Sequence, residues 1–221
     1  MFQKILCAAA LATILLTTGC AKVQVNPDLN SSLGYDAFAS MKVIKNRDIS
    51  LGLNISSKLL EAKASQKIKM GEFDFAIGKA LAVKLVKAMA YQFREVHILN
   101  DGAGKEGVQT IMRVELQDMD SKMDVKAGFT TVSAESYTRL VLRAELVDAT
   151  DGKVMWVGTS QVNQTGGVTE AQILTYQEAG RGFAAGFDAA IDKAIGDLLS
   201  QMNRSQNLRD YFKALEATSK E

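Results

Sequence analysis

Residues 137–162 read YTRLVLRAELVDATDGKVMWVGTSQV, and the fold turns on how they are read. Leu140, Leu142, Ala144 and Leu146 fall on every second position, with Arg139, Arg143 and Glu145 between them. That is the alternation of a strand buried on one face, here predicted from Tyr137 to Val147. Ala149-Thr150-Asp151-Gly152 joins it to a second alternating run, Lys153 to Val162. Asp-Gly between two such runs marks a hairpin turn, because glycine accepts the positive φ the turn demands.

Further strand signals lie upstream. In Val108 to Met119, Thr110, Met112, Val114 and Leu116 share one face and Arg113, Glu115 and Gln117 the other. Met123, Val125, Ala127 and Phe129 alternate again, so Asp118, Asp120 and Asp124 between the two runs are expected at a solvated hairpin tip. Glu95 to Leu99 is a short strand, and Ile49, Leu51, Leu53 and Ile55 mark another. Between them, Phe75 to Phe93 carries Ile77, Leu81, Leu85, Met89 and Phe93 at steps of four, a helical stripe. Ser56 to Gly71 is lysine-rich and gives no clear period.

Downstream the period lengthens to that of a helix, from Thr169 to Met202, with Thr169 and Gln172 in the spacing of a capping box. Leu208 to Ala217 is a last helical piece. The expected fold class is α+β: an antiparallel β-meander of about five to six strands, packed on one face by two main helices. No composition shift or internal repeat divides it, so 37–221 is expected to form a single α+β domain.

The chain has 221 residues, with 26 Lys+Arg against 25 Asp+Glu, one His, one Pro and two Cys. Near-neutral charge excludes the basic excess of a nucleic-acid binder. An apolar fraction of 47% with a single proline excludes a disordered or collagen-like chain. Residues 1–19 read as a signal peptide: Lys4 gives the positive start, and Ile5 to Leu16 an apolar run too short to span a bilayer, which takes about 20 residues. Leu16-Thr17-Thr18-Gly19-Cys20 resembles the lipobox of bacterial lipoproteins, with its leucine one residue further from the cysteine than usual. The resemblance implies cleavage after Gly19 and lipidation of Cys20. Acyl chains contribute about 0.8 kcal/mol per buried CH₂, enough for two or three to anchor the chain permanently. Ala21 in place of aspartate implies, by the same analogy, the inner leaflet of the outer membrane facing the periplasm. Residues 20–36 then form the lipidated cysteine and a polar tether, in which Val23 and Val25 could start an edge strand.

Few residues invite chemistry. Gly102 to Gly107 (GAGKEG) matches G-x-G-x-x-G, but a strand follows it where a dinucleotide site needs a helix, so a hairpin loop is expected. His97, between Val96 and Ile98, is expected on a sheet face, and as the one histidine it excludes a site with two His ligands. Glu115 and Glu145 lie on polar strand faces with nothing to fix them as a glycosidase pair. Lys58, Lys63, Lys67 and Lys69 form a basic stretch, read first as a solvated loop and second as a contact for anionic headgroups. Trp156 is expected in the core. Gly180, Ala184, Phe187 and Ile191 trace one helix face rich in small residues, suited to close packing on the sheet or to a groove for a partner helix or acyl chain. No catalytic residue, metal ion or cofactor is expected.

Leu146 to Gly158, with its Asp148-x-x-x-Gly152-Lys153 turn and Trp156-x-Gly158, resembles a hairpin found in many small envelope lipoproteins. With the lipobox, Val25-Asn26-Pro27 and the final Leu208 to Lys213, the chain is similar in layout to the YajG-like lipoproteins. That resemblance implies an outer-membrane lipoprotein without catalytic residues. The expected function is a lipid-anchored, non-enzymatic accessory module docking an envelope protein complex. A lipid or small-amphiphile carrier is the alternative, and an envelope hydrolase ranks last.

Overall fold

The computed structural model describes residues 47–69, 71–99 and 107–218, together with Gln24–Val25 and Leu29. Along the chain come β1 (Gln24–Val25), β2 (Arg47–Ile55), α1 (Ser57–Leu60), β3 (Ala64–Ile68), β4 (Gly71–Phe75) and α2 (Ile77–Ala90). Then follow β5 (Phe93–Leu99), β6 (Thr110–Ala127), β7 (Val132–Asp148), β8 (Val154–Ala171), α3 (Tyr176–Arg204) and α4 (Gln206–Thr218). A five-stranded sheet has the order β5-β2-β6-β7-β8, and a smaller one the order β1-β4-β3.

The β7–β8 hairpin forms where its alternation and Asp-Gly turn predict. Gly152 has a φ of 74°, and Asp148 Oδ1 accepts from the backbone N–H groups of Thr150 at 2.7 Å and Asp151 at 3.3 Å. The sheet is mixed, however, rather than an antiparallel meander. β2 lies between β5 and β6 and is parallel to both, while β6, β7 and β8 are antiparallel. A crossover containing α2 separates β2 from β5, and such a connection delivers a parallel neighbour where a hairpin cannot.

The three aspartates also sit otherwise than expected. Asp118, Asp120 and Asp124 belong to β6, which runs unbroken for 18 residues. Leu116 faces Leu142 and Asp118 faces Val141, so Gln117 is an extra residue in the ladder. This bulge reverses the alternation: Met112, Val114 and Leu116 point into the core before it, Met119, Met123 and Val125 after it. Ser56 to Gly71 resolves into α1 and most of the β3–β4 hairpin, with all four of its lysines exposed. The capping box lies later than Thr169, because β8 continues to Ala171 in pairing with Val132. Thr175 caps α3 instead: its hydroxyl accepts from the Glu178 N–H at 3.2 Å while the Glu178 carboxylate accepts from the Thr175 N–H at 2.8 Å.

One face of the large sheet is covered by α2, α3, α4 and the small sheet, which share a single core with Leu51, Leu53, Val114, Leu142 and Leu146. Phe73 meets Phe183 edge-on at 5.2 Å, Phe75 meets Phe187 at 4.8 Å, and Phe93 meets Phe212 at 5.7 Å. Each such pair contributes about 0.5–1.5 kcal/mol beyond burial. Close contact of α3 with the sheet depends on Gly186, where a Cβ would lie 2.0 Å from Ser136 Oγ and 2.9 Å from the Gly166 carbonyl oxygen. Arg47 sits 4.2 Å over the Phe212 ring. Tyr211 ties α4 to the hairpin turn, donating to Asp148 Oδ2 at 2.9 Å. Trp156 is partly buried and packs on the core, as expected.

Candidate functional site

A groove opens where α1, α2 and the C-terminal ends of β2 and β5 meet. It has a volume of about 330 Å³ and is lined by Ile55, Leu60, Ala82, Val83, Val86, Lys87, Ile98 and Leu99. The apolar stripe of α2, Ile77, Leu81, Leu85 and Met89, turns into the core. Val83 and Val86 stand off that stripe and line the groove instead. α2 is held against α1 by the Gly78 N–H, which donates to the Ala62 carbonyl at 2.9 Å. Three lining residues stay open to solvent: Leu60 is 41% exposed, Val83 43% and Ile98 60%. These three side chains, one from each of α1, α2 and β5, make an apolar patch that faces water.

The groove adjoins a border of the large sheet, since among the described residues β5 pairs only with β2. A border strand presents a row of N–H and C=O groups to any extended chain. Elsewhere on β5, Phe93 is buried in the core and Val96 packs against it, while Arg94, Glu95 and His97 are exposed. Arg94 pairs with Asp48, and His97 Nε2 lies 3.3 Å from Glu95. His97 thus sits at the sheet border, and no group of three or more His, Cys, Asp or Glu among the described residues is placed to hold a metal ion.

On the open face of the sheet, Arg113 faces Glu145, Glu115 faces Arg143 and Asp120 faces Arg139 across the strands. Directly opposed charges of this kind each contribute about 0.2–1 kcal/mol. Glu115 and Glu145 are therefore members of a charge lattice, with Arg143 also paired to Glu145 and Arg139 3.4 Å from Asp118.

Two charged groups have environments that the sequence does not show. Lys84, fully buried, lies 3.0 Å from Asp188 and 2.9 Å from Asp192, joining α2 to α3. It sits at the flank of the α2 stripe, where helical periodicity assigns a lysine to solvent; only the facing aspartates on α3 explain its burial. Asp148 is the second. Burial pushes its carboxyl up, but the Thr150 N–H, the Tyr211 hydroxyl and the Asp151 N–H together outweigh that and hold it below the ordinary 3.8. The same burial drives the Tyr211 hydroxyl well above its ordinary range, aided by Asp148.

On α3, Gly180, Ala184, Phe187 and Ile191, the face read as suited to close packing or to a groove, are all buried in the core. Gly19, Cys20 and residues 100–106, with most of the glycine motif, lie outside the described residues. Gly107, at the end of that motif, has a φ of 78° and leads into β6 rather than a helix. No helix among the described residues is long and apolar enough to cross a membrane.

No protein-family model and no curated protein sequence matches the chain. Among solved structures, it is similar to a Xanthomonas campestris protein of the DUF330 family, with 10% identity, a TM-score of 0.47, and coverage of 89% of this chain and 99% of that one. It is similar to the PelC dodecamer of Paraburkholderia phytofirmans at 13% identity and a TM-score of 0.37, covering 71% of this chain and 89% of that one. A minor lipoprotein from Acinetobacter baumannii shows 14% identity and a TM-score of 0.32 over 75% of this chain and 96% of its own.

Proposed function

We propose that this chain is a lipid-anchored, non-enzymatic docking module of the bacterial envelope that takes an extended apolar segment of a partner protein against β5. The observation that carries the reading is the meeting of an apolar groove and a sheet border at Ile98 and Leu99. A strand added to β5 gains main-chain hydrogen bonds, and its alternate side chains enter the groove beside Val83 and Val86. Affinity then comes from the backbone and selectivity from the apolar lining. The lipobox at Cys20 supplies the anchor, and Ala21 favours the inner leaflet of the outer membrane.

A second reading, a carrier of a small amphiphile, draws on the same groove. Its volume of about 330 Å³ is near the lower end of small-molecule sites, roughly 300–1,000 Å³, and Lys87 at its rim suits an anionic head. Native mass spectrometry of the full chain, extracted in detergent, separates the two. The docking module should carry no mass beyond its covalent acyl groups. A co-purifying amphiphile that is lost in Val83→Asp would favour the carrier instead.

A further inference from the structure

Two of the most exposed large apolar side chains lie at one end of the large sheet, away from the groove. Phe129, in the turn between β6 and β7, is fully exposed, and Ile173, just after β8, is 81% exposed. The register brings them to one end of the molecule, because Val132 pairs with both Ala127 and Ala171. Neither belongs to a core cluster, and their shared location at one end, rather than the exposure of either alone, is what makes them notable.

The path of the N-terminal segment leads to the same end. Gln66 grips the Met123 main chain, with Nε2 donating to its carbonyl at 2.8 Å and the Met123 N–H donating back at 2.7 Å. The small sheet therefore lies level with Met123 and its partner Ser136, four residue pairs from the turn, or about 13 Å along the strands. β4 runs away from the turn: Phe73 packs on Phe183 and Phe75 on Phe187, in the direction of α3, which itself starts beside the end of β8. β1 is parallel to β4, with Gln24 facing Glu72. β1 thus begins at its Phe129-facing end, and Cys20 precedes it in the sequence by four residues, at most about 14 Å of extended chain. Exposed lysines lie toward this end as well: Lys67 and Lys69 on the β3–β4 hairpin, and Lys126, which pairs with Glu135.

We infer that Phe129 and Ile173 dip into the headgroup region of the bilayer that holds the anchor, orienting the domain with its β6–β7 turn against lipid and its groove outward. The inference rests on the lipid-anchor reading of Cys20. A phospholipid surface is the occupant that fits, because the patch combines apolar tips, neighbouring lysines and the incoming tether. Along β6, Val114, level with Ile55 of the groove, is thirteen residues from Ala127. That spacing, about 43 Å of strand, holds the docking site clear of the headgroups.

The test uses the full chain purified from membranes, carrying an environment-sensitive fluorescent amino acid at 129, 173 or, as a control at the opposite end, 151. Each protein is reconstituted in phosphatidylethanolamine–phosphatidylglycerol vesicles with and without nitroxide-labelled lipid, and acylation is read from intact mass. The expected result is a blue shift and nitroxide quenching at 129 and 173, with neither at 151. Acylated protein without quenching at 129 overturns the orientation and leaves the anchor standing. Unacylated protein that does not float with vesicles overturns both. A blue shift that nitroxide lipid does not quench means that protein covers the tip, and overturns the inference.

Discussion

α2 and α3 both carry more apolar surface than one buried stripe requires, yet they use it differently. On α3 the surplus consists of glycine and alanine, and it brings the backbone close to the sheet at Ser136 and Gly166. On α2 the surplus includes branched residues: Val83 is exposed and Val86 is partly buried at the edge of the core, and both line the groove. Small side chains at helical spacing thus allow close packing, whereas bulky ones off the stripe leave apolar surface beside it.

Breaking the link between the two helices should have the largest effect. Lys84→Ala leaves Asp188 and Asp192 facing each other without their cation, and a cost of about 3–5 kcal/mol is expected, read as a lowered urea midpoint. Lys84→Met combined with Asp188→Asn and Asp192→Asn should recover most of that loss. Next is the small-residue face: Gly186→Val should cost about 3 kcal/mol through overpacking against Ser136 and Gly166, measured by thermal unfolding. By the same contrast, Val83→Ser should change stability by less than about 0.5 kcal/mol, as substitutions at the surface do.

Between these extremes lie the terminal contacts. Thr175→Ala should cost about 1 kcal/mol through the lost cap, seen as faster hydrogen exchange in the first turn of α3. Asp148 gives a pH signature. Its folded carboxyl titrates below the ordinary 3.8, so its stabilising contribution is present above that value and is lost as the pH falls through the folded pKa. Urea midpoints of wild type and Asp148→Asn should differ at pH 6 and converge in strong acid. A gap that persists there would assign the difference to packing.

The contrast between α2 and α3 also explains what the sequence made legible. The Asp148 to Lys153 turn, the β7 alternation, the α2 stripe and α4 are local patterns, set by residues within a few positions of one another, and they read correctly. The placement of β2 between two parallel neighbours depends on pairings with Glu95 to Leu99 and Thr110 to Val114, which no local period encodes. Gln117 misled more actively: one inserted residue reversed the alternation and made a single strand look like two with a turn between them. The groove is not legible because the helical period marks the buried stripe of α2 and says nothing of the two valines beside it. Lys84 was missed because its partners lie a hundred residues away on α3.

The most direct test of the docking surface is photo-cross-linking in living cells, with the reactive group at Ile98 or Val83 in the anchored full chain and at Thr159 on the opposite border as control. The account predicts that one and the same envelope protein is captured from Ile98 and Val83, that Thr159 does not capture it, and that Val83→Asp abolishes the Ile98 product. Capture of lipid alone from both groove positions, or of the same products from all three, would contradict it.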